Sequence, residues 1–193
     1  MWMLVLGLFI FLATHSVRVF AEPWRQGLIA RTGANQYKVA YSVVSLLGFL
    51  LIIYGYGMAR QAPIVLYSPP IFTKHIAALL TLVAFILLTA AYVPGTKLKA
   101  AVKHPMVLGV KTWAFAHLLA NGTLHDVLLF GSFLVWAVLS FRAARKRDAA
   151  DRISYPPGSA VRDVVNVIIG TALWAGVAFW AHGAWIGVRP FGM

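Results

Sequence analysis

Six apolar runs, at residues 2–20, 39–59, 71–93, 105–120, 124–141 and 164–188, constrain this chain more than any other feature. A bilayer core of ~30 Å takes about 20 apolar residues as helix, and backbone groups inside it must be hydrogen-bonded internally. The runs therefore predict an all-α integral membrane bundle of about six transmembrane helices. The chain has 193 residues and reads as a single transmembrane domain, 1–193. Its 61% hydrophobic and 11% charged residues leave too few polar groups to cover a soluble surface; a soluble domain carries roughly 45–50% and ~25%. Pro94-Gly95 closes the third run and Arg189-Pro190 the sixth, as proline and glycine end helices. The fourth run is the shortest and is interrupted by Lys111, which must snorkel or find a partner. No basic segment precedes the first run and no small-x-small site follows it, so it reads as a span and not a cleaved signal peptide.

The net charge of +12 has its explanation in the same runs. Nucleic-acid binding needs basic residues gathered on a solvated face. Here 14 of the 17 basic residues fall in or beside the first, third and fifth loops, leaving only Arg60, Lys74 and Arg189 for the alternate side. By the positive-inside rule the odd loops are cytoplasmic and both termini lie on the outer side. The expected surroundings are a lipid bilayer and no nucleic acid, with homo-oligomerisation left open. Glu22 to Lys38 reads as a basic loop anchored at the interface by Trp24 and Tyr37, and the run from Arg142 to Arg147 opens a cytoplasmic linker.

The chemistry open to the chain is narrow. It has no cysteine, which removes disulfides, thiolate metal sites and cysteine nucleophiles. Of five acidic residues, Glu22, Asp148, Asp151 and Asp163 are expected in cytoplasmic loops, and Asp126 near the outer end of the fifth span. Paired-carboxylate chemistry inside the membrane is thereby set aside, and neither an HExxH, a GxSxG nor a P-loop string occurs.

Histidine remains. His75, His125 and His182 lie near the outer ends of their spans, where histidine is an ordinary interfacial residue; His104 starts a helix on the inner side. His15 and His117 lie deeper. A neutral imidazole in a helix bundle is a good metal ligand if its other ring nitrogen finds an acceptor. Two histidines without cysteine or carboxylate make a poor zinc site, since zinc takes three or four protein ligands. Two axial imidazoles are what haem b requires, because the porphyrin fills the other four positions. Arg18, one turn after His15, and Lys111 are candidate propionate partners. Trp113 and Asn121 flank His117 at i−4 and i+4, and Ala114, Ala116 and Ala120 leave room for a flat macrocycle. The plainer reading is two histidines that only satisfy a core. A rival metal site would gather His75, His125, His182 and Asp126 at the outer end and would suit zinc.

Four strings carry a resemblance: Thr14-His15-Ser16-Val17-Arg18, Lys103-His104-Pro105-Met106-Val107-Leu108-Gly109, Trp113-Ala114-Phe115-Ala116-His117-Leu118-Leu119-Ala120-Asn121-Gly122, and Leu129-Phe130-Gly131-Ser132-Phe133-Leu134-Val135-Trp136-Ala137. With them the chain resembles the bacterial NnrU family, membrane proteins associated with denitrification. That family is similar to the plant and cyanobacterial ζ-carotene isomerase, a haem b enzyme of the membrane. The resemblance implies haem ligation by His15 and His117 and places the isomerase's third motif histidine on His104. It implies either an isomerase-like redox protein acting on a polyene or an accessory factor in nitrite and nitric oxide metabolism. The isomerase's cysteine, three residues before its second haem histidine, is Ala114 here, so a thiolate-to-imidazole switch is excluded. A weaker similarity of Lys103-His104-Pro105 to membrane methyltransferases gives a degenerate methyltransferase-like protein as one alternative, beside a haem-free structural or assembly protein.

Overall fold

The computed structural model describes residues 1–191. Gly192 and Met193, and with them the C-terminal end expected on the outer side, lie outside the described residues. Eight α-helices follow one another among these residues: α1 (Trp2–Phe20), α2 (Glu22–Thr32), α3 (Ala34–Ala59), α4 (Ile71–Tyr92), α5 (Lys97–Val102), α6 (Pro105–Ala120), α7 (Leu124–Ala150) and α8 (Ala160–Gly176). The last continues as π-helical turns over Val177–Ile186. No strand forms among the described residues, and only two isolated bridges occur, Val65 with Thr123 and Thr96 with Ser159. The fold is all-α. Five helices are long and apolar enough to cross a membrane: α1, α3, α4, α7, and α8 with its π-helical extension. With α6 as a sixth, shorter apolar helix, the chain is a multi-pass membrane protein. The 16 residues of α6 reach about 24 Å, somewhat less than the ~30 Å hydrocarbon core.

The structure corrects the sequence reading at the polar ends of the spans. α3 starts at Ala34, α7 runs on to Ala150 and α8 starts at Ala160, because hydropathy marks only the part of a helix that meets hydrocarbon. The segment expected to be a loop after Phe20 is the helix α2. Pro23 sits in its first turn, and the Glu22 carboxylate accepts from Arg25 at 2.9 Å and from Gln26 at 2.6 Å, at i+3 and i+4. Accordingly Glu22, Asp148 and Asp163 are helical residues, in α2, α7 and α8, and not loop residues.

The chain divides into two compact units, Met1–Ser68 with Gly122–Ala143, and Pro69–Asn121 with Ala144–Met193. In the first, α1 and α3 run antiparallel with their backbones in contact. A Cβ added at Gly7 would stand 2.6 Å from the Ile52 backbone nitrogen, and one added at Gly48 would stand 2.8 Å from that of Phe11. In a membrane, where lipid tails are as apolar as leucine, close approach of small residues is what drives such pairing. Leu4, Leu8 and Ile52 form the buried core of this unit, with Leu128, Leu129 and Phe133 of α7 packed against it.

In the second unit α4 is central. Gly109 of α6 lies against Ala84 and Leu88, and Gly170 of α8 against Ile86. Polar side chains hold the α4–α8 contact. The fully buried Asn166 donates from Nδ2 to the Ile86 carbonyl at 3.2 Å, and Trp174 Nε1 donates to Thr81 Oγ1 at 3.1 Å. Donors inside a span must find acceptors on neighbouring helices, since lipid supplies none.

Candidate functional site

His15 stands in the last two turns of α1, half-buried in an aromatic setting. The Phe11 ring stacks on it at 4.1 Å, Tyr41 lies at 5.2 Å, and Trp136 meets it edge-on at 6.0 Å. Its Nδ1 is 2.7 Å from the Phe11 carbonyl, one turn back. A carbonyl oxygen only accepts, so Nδ1 carries the proton, and in the neutral ring Nε2 is the nitrogen with a lone pair. Arg18 follows one turn later in the last turn of α1 and is exposed.

His117 repeats this arrangement in the second unit. Its Nδ1 is 2.9 Å from the Trp113 carbonyl, again one turn back, and the Trp113 ring lies 5.1 Å from the imidazole. The same argument leaves Nε2 as the unprotonated nitrogen. Asn121 is the C-cap of α6: both its backbone N–H and its Nδ2 donate to the His117 carbonyl at 2.9 Å. Asn121 therefore closes the helix that carries His117. Lys111 lies on α6, half-buried, nearly two turns before His117.

These residues can be set against what a haem would need. A ligating histidine almost always donates its other ring N–H to a carbonyl or carboxylate, which fixes the tautomer and the ring orientation. Both His15 and His117 do so. A groove of about 470 Å³ between α1 and α7 is edged by Ser16, Gly131, Ser132 and Trp136; His15 does not line it and meets it only through the Trp136 ring. A Cβ added at Gly131 would meet nothing within 4 Å, so a flat ligand would find no side chain there. Of the three alanines expected to leave room beside His117, Ala114 and Ala116 are fully buried and Ala120 is half-buried.

Of the remaining histidines, His75 is exposed in the second turn of α4, while His104, His125 and His182 make local polar contacts. His104, the N-cap of α6, donates from Nε2 to Asp148 at 2.8 Å, and the Tyr155 hydroxyl donates to the same carboxylate oxygen at 3.0 Å. Burial first, then the hydrogen bond to Asp148 and its charge, pushes the Tyr155 phenol above its usual range. Lys103 precedes this cluster at φ +67° and ψ −49°, the centre of a γ-turn closed by the His104 N–H to the Val102 carbonyl at 2.8 Å, and its ammonium lies 5.7 Å over the Tyr155 ring. His182 Nδ1 donates to the Val188 carbonyl at 2.6 Å and ties off the end of the π-helical segment.

The outer zinc cluster does not assemble. Among the described residues no three of histidine, aspartate, glutamate or cysteine come together as a metal site. His125 and Asp126 belong instead to a polar network at the start of α7, within the first unit. Asp126 accepts from the Tyr56 hydroxyl at 2.6 Å, from the Thr123 hydroxyl at 2.5 Å and from the Thr123 N–H at 3.3 Å. Thr123 and Asp126 thus make a capping box for α7, and His125 Nε2 lies 3.0 Å from the Thr123 hydroxyl.

Comparison with known proteins adds one result. The family described as NnrU protein matches residues 3–190, nearly the whole chain. The chain belongs to the NnrU family. No curated protein and no solved structure matches it. The matched stretch includes His15, His104 and His117.

Several residues of the site were not singled out from the sequence. Phe11, Tyr41 and Trp136 surround His15, yet aromatic residues in apolar spans carry no signal of their own. Asp148 lies 44 residues from His104 and only the fold brings them together. Tyr56 lies 70 residues from Asp126 in the same way.

Proposed function

We propose that this NnrU protein binds haem b in the bacterial inner membrane, with His15 and His117 as its axial imidazoles. The observation that carries the reading is the matched pair of i−4 hydrogen bonds, Nδ1 to the Phe11 carbonyl and Nδ1 to the Trp113 carbonyl. Both bonds fix the tautomer whose Nε2 can donate a lone pair to a metal. Phe11, Tyr41 and Trp136 orient the first ring and Trp113 the second, while Asn121 holds the end of α6. Arg18 and Lys111 are the candidate partners for carboxylate groups of the ligand. Bound haem would supply one-electron chemistry and an iron centre able to interact with a polyene or with nitrogen oxides. The finer role is an isomerase-like redox protein or an accessory factor in nitrite and nitric oxide metabolism, oriented with its basic loops in the cytoplasm.

A second reading is a haem-free membrane protein whose histidines serve helix packing. The fully buried Ala114 and Ala116 favour it, since both are already covered by protein. Substitution separates the two. Under the haem reading, His15→Ala and His117→Ala each shift the absorption of the purified protein or abolish it, while His75→Ala and His182→Ala leave it unchanged. Variants at all four positions that fold normally and carry no haem absorbance would establish the second reading.

A further inference from the structure

A second groove, of about 390 Å³, opens on the other side of α1 from that between α1 and α7, where α2 crosses the ends of α1 and α3. Thr14 and Val17 of α1, Trp24 and Leu28 of α2, and Ala40 and Tyr41 of α3 form its walls, which are almost wholly apolar. α2 has 11 residues, about 16 Å of helix, and none of them is buried. It is too short to cross a bilayer and carries charge, so it lies in the interface with the groove beneath it. The helix beside the groove, α2, is net cationic, with two arginines against one acid that pairs with the first of them. The Arg25 guanidinium stands 5.5 Å over the ring of Tyr37, a residue that lines the groove, and Arg31 follows Leu28 by three residues on the same face of α2. The nearby acid, Glu22, is already bonded to Arg25 and Gln26.

We propose that this groove binds one anionic phospholipid, its acyl chain against Val17, Leu28 and Ala40 and its phosphate held by Arg25 and Arg31. The charge of α2 selects the occupant: an acyl chain alone would need only the walls, whereas guanidinium forks match phosphate oxygens. Trp24 and Tyr37, which line the groove, are the amphipathic ring types that favour the headgroup level. The site is independent of any haem.

The test uses the full-length protein, delipidated in detergent and incubated with phosphatidylglycerol or phosphatidylcholine of identical chains. Lipid retained per protein is read by native mass spectrometry. The wild type retains phosphatidylglycerol in preference to phosphatidylcholine, and millimolar inorganic phosphate does not displace it. Arg25→Gln and Arg31→Gln each lower phosphatidylglycerol retention about fivefold, as expected for one basic residue at a membrane surface. Ala40→Phe, which fills the groove, lowers retention of both lipids, and Ala40→Leu does so to a smaller degree if the larger variant misfolds. Lys38→Gln, which removes a cation from α3 and leaves both α2 arginines in place, changes nothing. Equal retention of the two lipids, an equal loss with Lys38→Gln, unchanged retention in both Ala40 variants, or displacement by inorganic phosphate would each overturn the proposal.

Discussion

Tyr56→Phe isolates a single bond between two helices of the first unit. The Tyr56 hydroxyl donates to Asp126 Oδ1 at 2.6 Å, and the substitution removes that oxygen and little else. Two magnitudes compete. Interhelical hydrogen bonds in membranes average about 0.6 kcal/mol, with a maximum near 1.7, whereas a bond to a charged group in a protein contributes about 1.5–3 kcal/mol. Asp126 is 5% exposed, and the Tyr56 hydroxyl, the Thr123 hydroxyl and the Thr123 N–H all stand within bonding distance of its carboxyl group, so the higher range applies. After the change Oδ2 keeps both Thr123 donors while Oδ1 loses the tyrosine, and a cost of about 2 kcal/mol follows. Reversible unfolding in mixed micelles, with Asp126→Asn and the double variant completing a cycle, measures the coupling. A coupling energy below about 0.5 kcal/mol would show that the bond is no stronger than a neutral membrane hydrogen bond, refuting the argument.

Gly48→Leu should separate α1 from α3, because a Cβ there already falls 2.8 Å from the Phe11 backbone nitrogen; loss of a monodisperse folded peak in size-exclusion chromatography checks it, and a normal peak would sink the close-packed pair. Arg18→Ala should weaken haem retention on dilution without preventing insertion, and unchanged retention would leave Arg18 a topology charge alone. Because the natural chain has no cysteine, single cysteines report topology cleanly. Lys146→Cys should react with an impermeant thiol reagent only in opened membranes, and Lys74→Cys in intact spheroplasts; the reverse pattern would invert the proposed orientation.

The fold was legible where a single physical demand acts on the sequence. Long apolar runs have one solution in a bilayer, and α1 and α6 begin and end where those runs do. Helix ends outside hydrocarbon answer to capping and to i+3 and i+4 pairs, so α2 and the extension of α7 to Ala150 left no mark in hydropathy. In the sequence, expected depth alone singled out the candidate site. Depth distinguishes His15 and His117 from the interfacial histidines, but it is one coordinate of three. The outer cluster failed for that reason: His75, His125, His182 and Asp126 share an expected level, and sharing a level brings no ligands together. His104 illustrates the converse, since its partners Asp148 and Tyr155 come from distant stretches that only folding gathers.

The central claim concerns two imidazoles and one cofactor, and the reduced-minus-oxidised absorption spectrum of the purified wild-type protein tests it most directly. With His15 and His117 as axial ligands the spectrum is that of a six-coordinate, low-spin b-type haem at one haem per chain, without a thiolate band in either state, since the chain has no cysteine. A folded, monodisperse protein showing no haem absorbance, even after reconstitution with hemin, would contradict it.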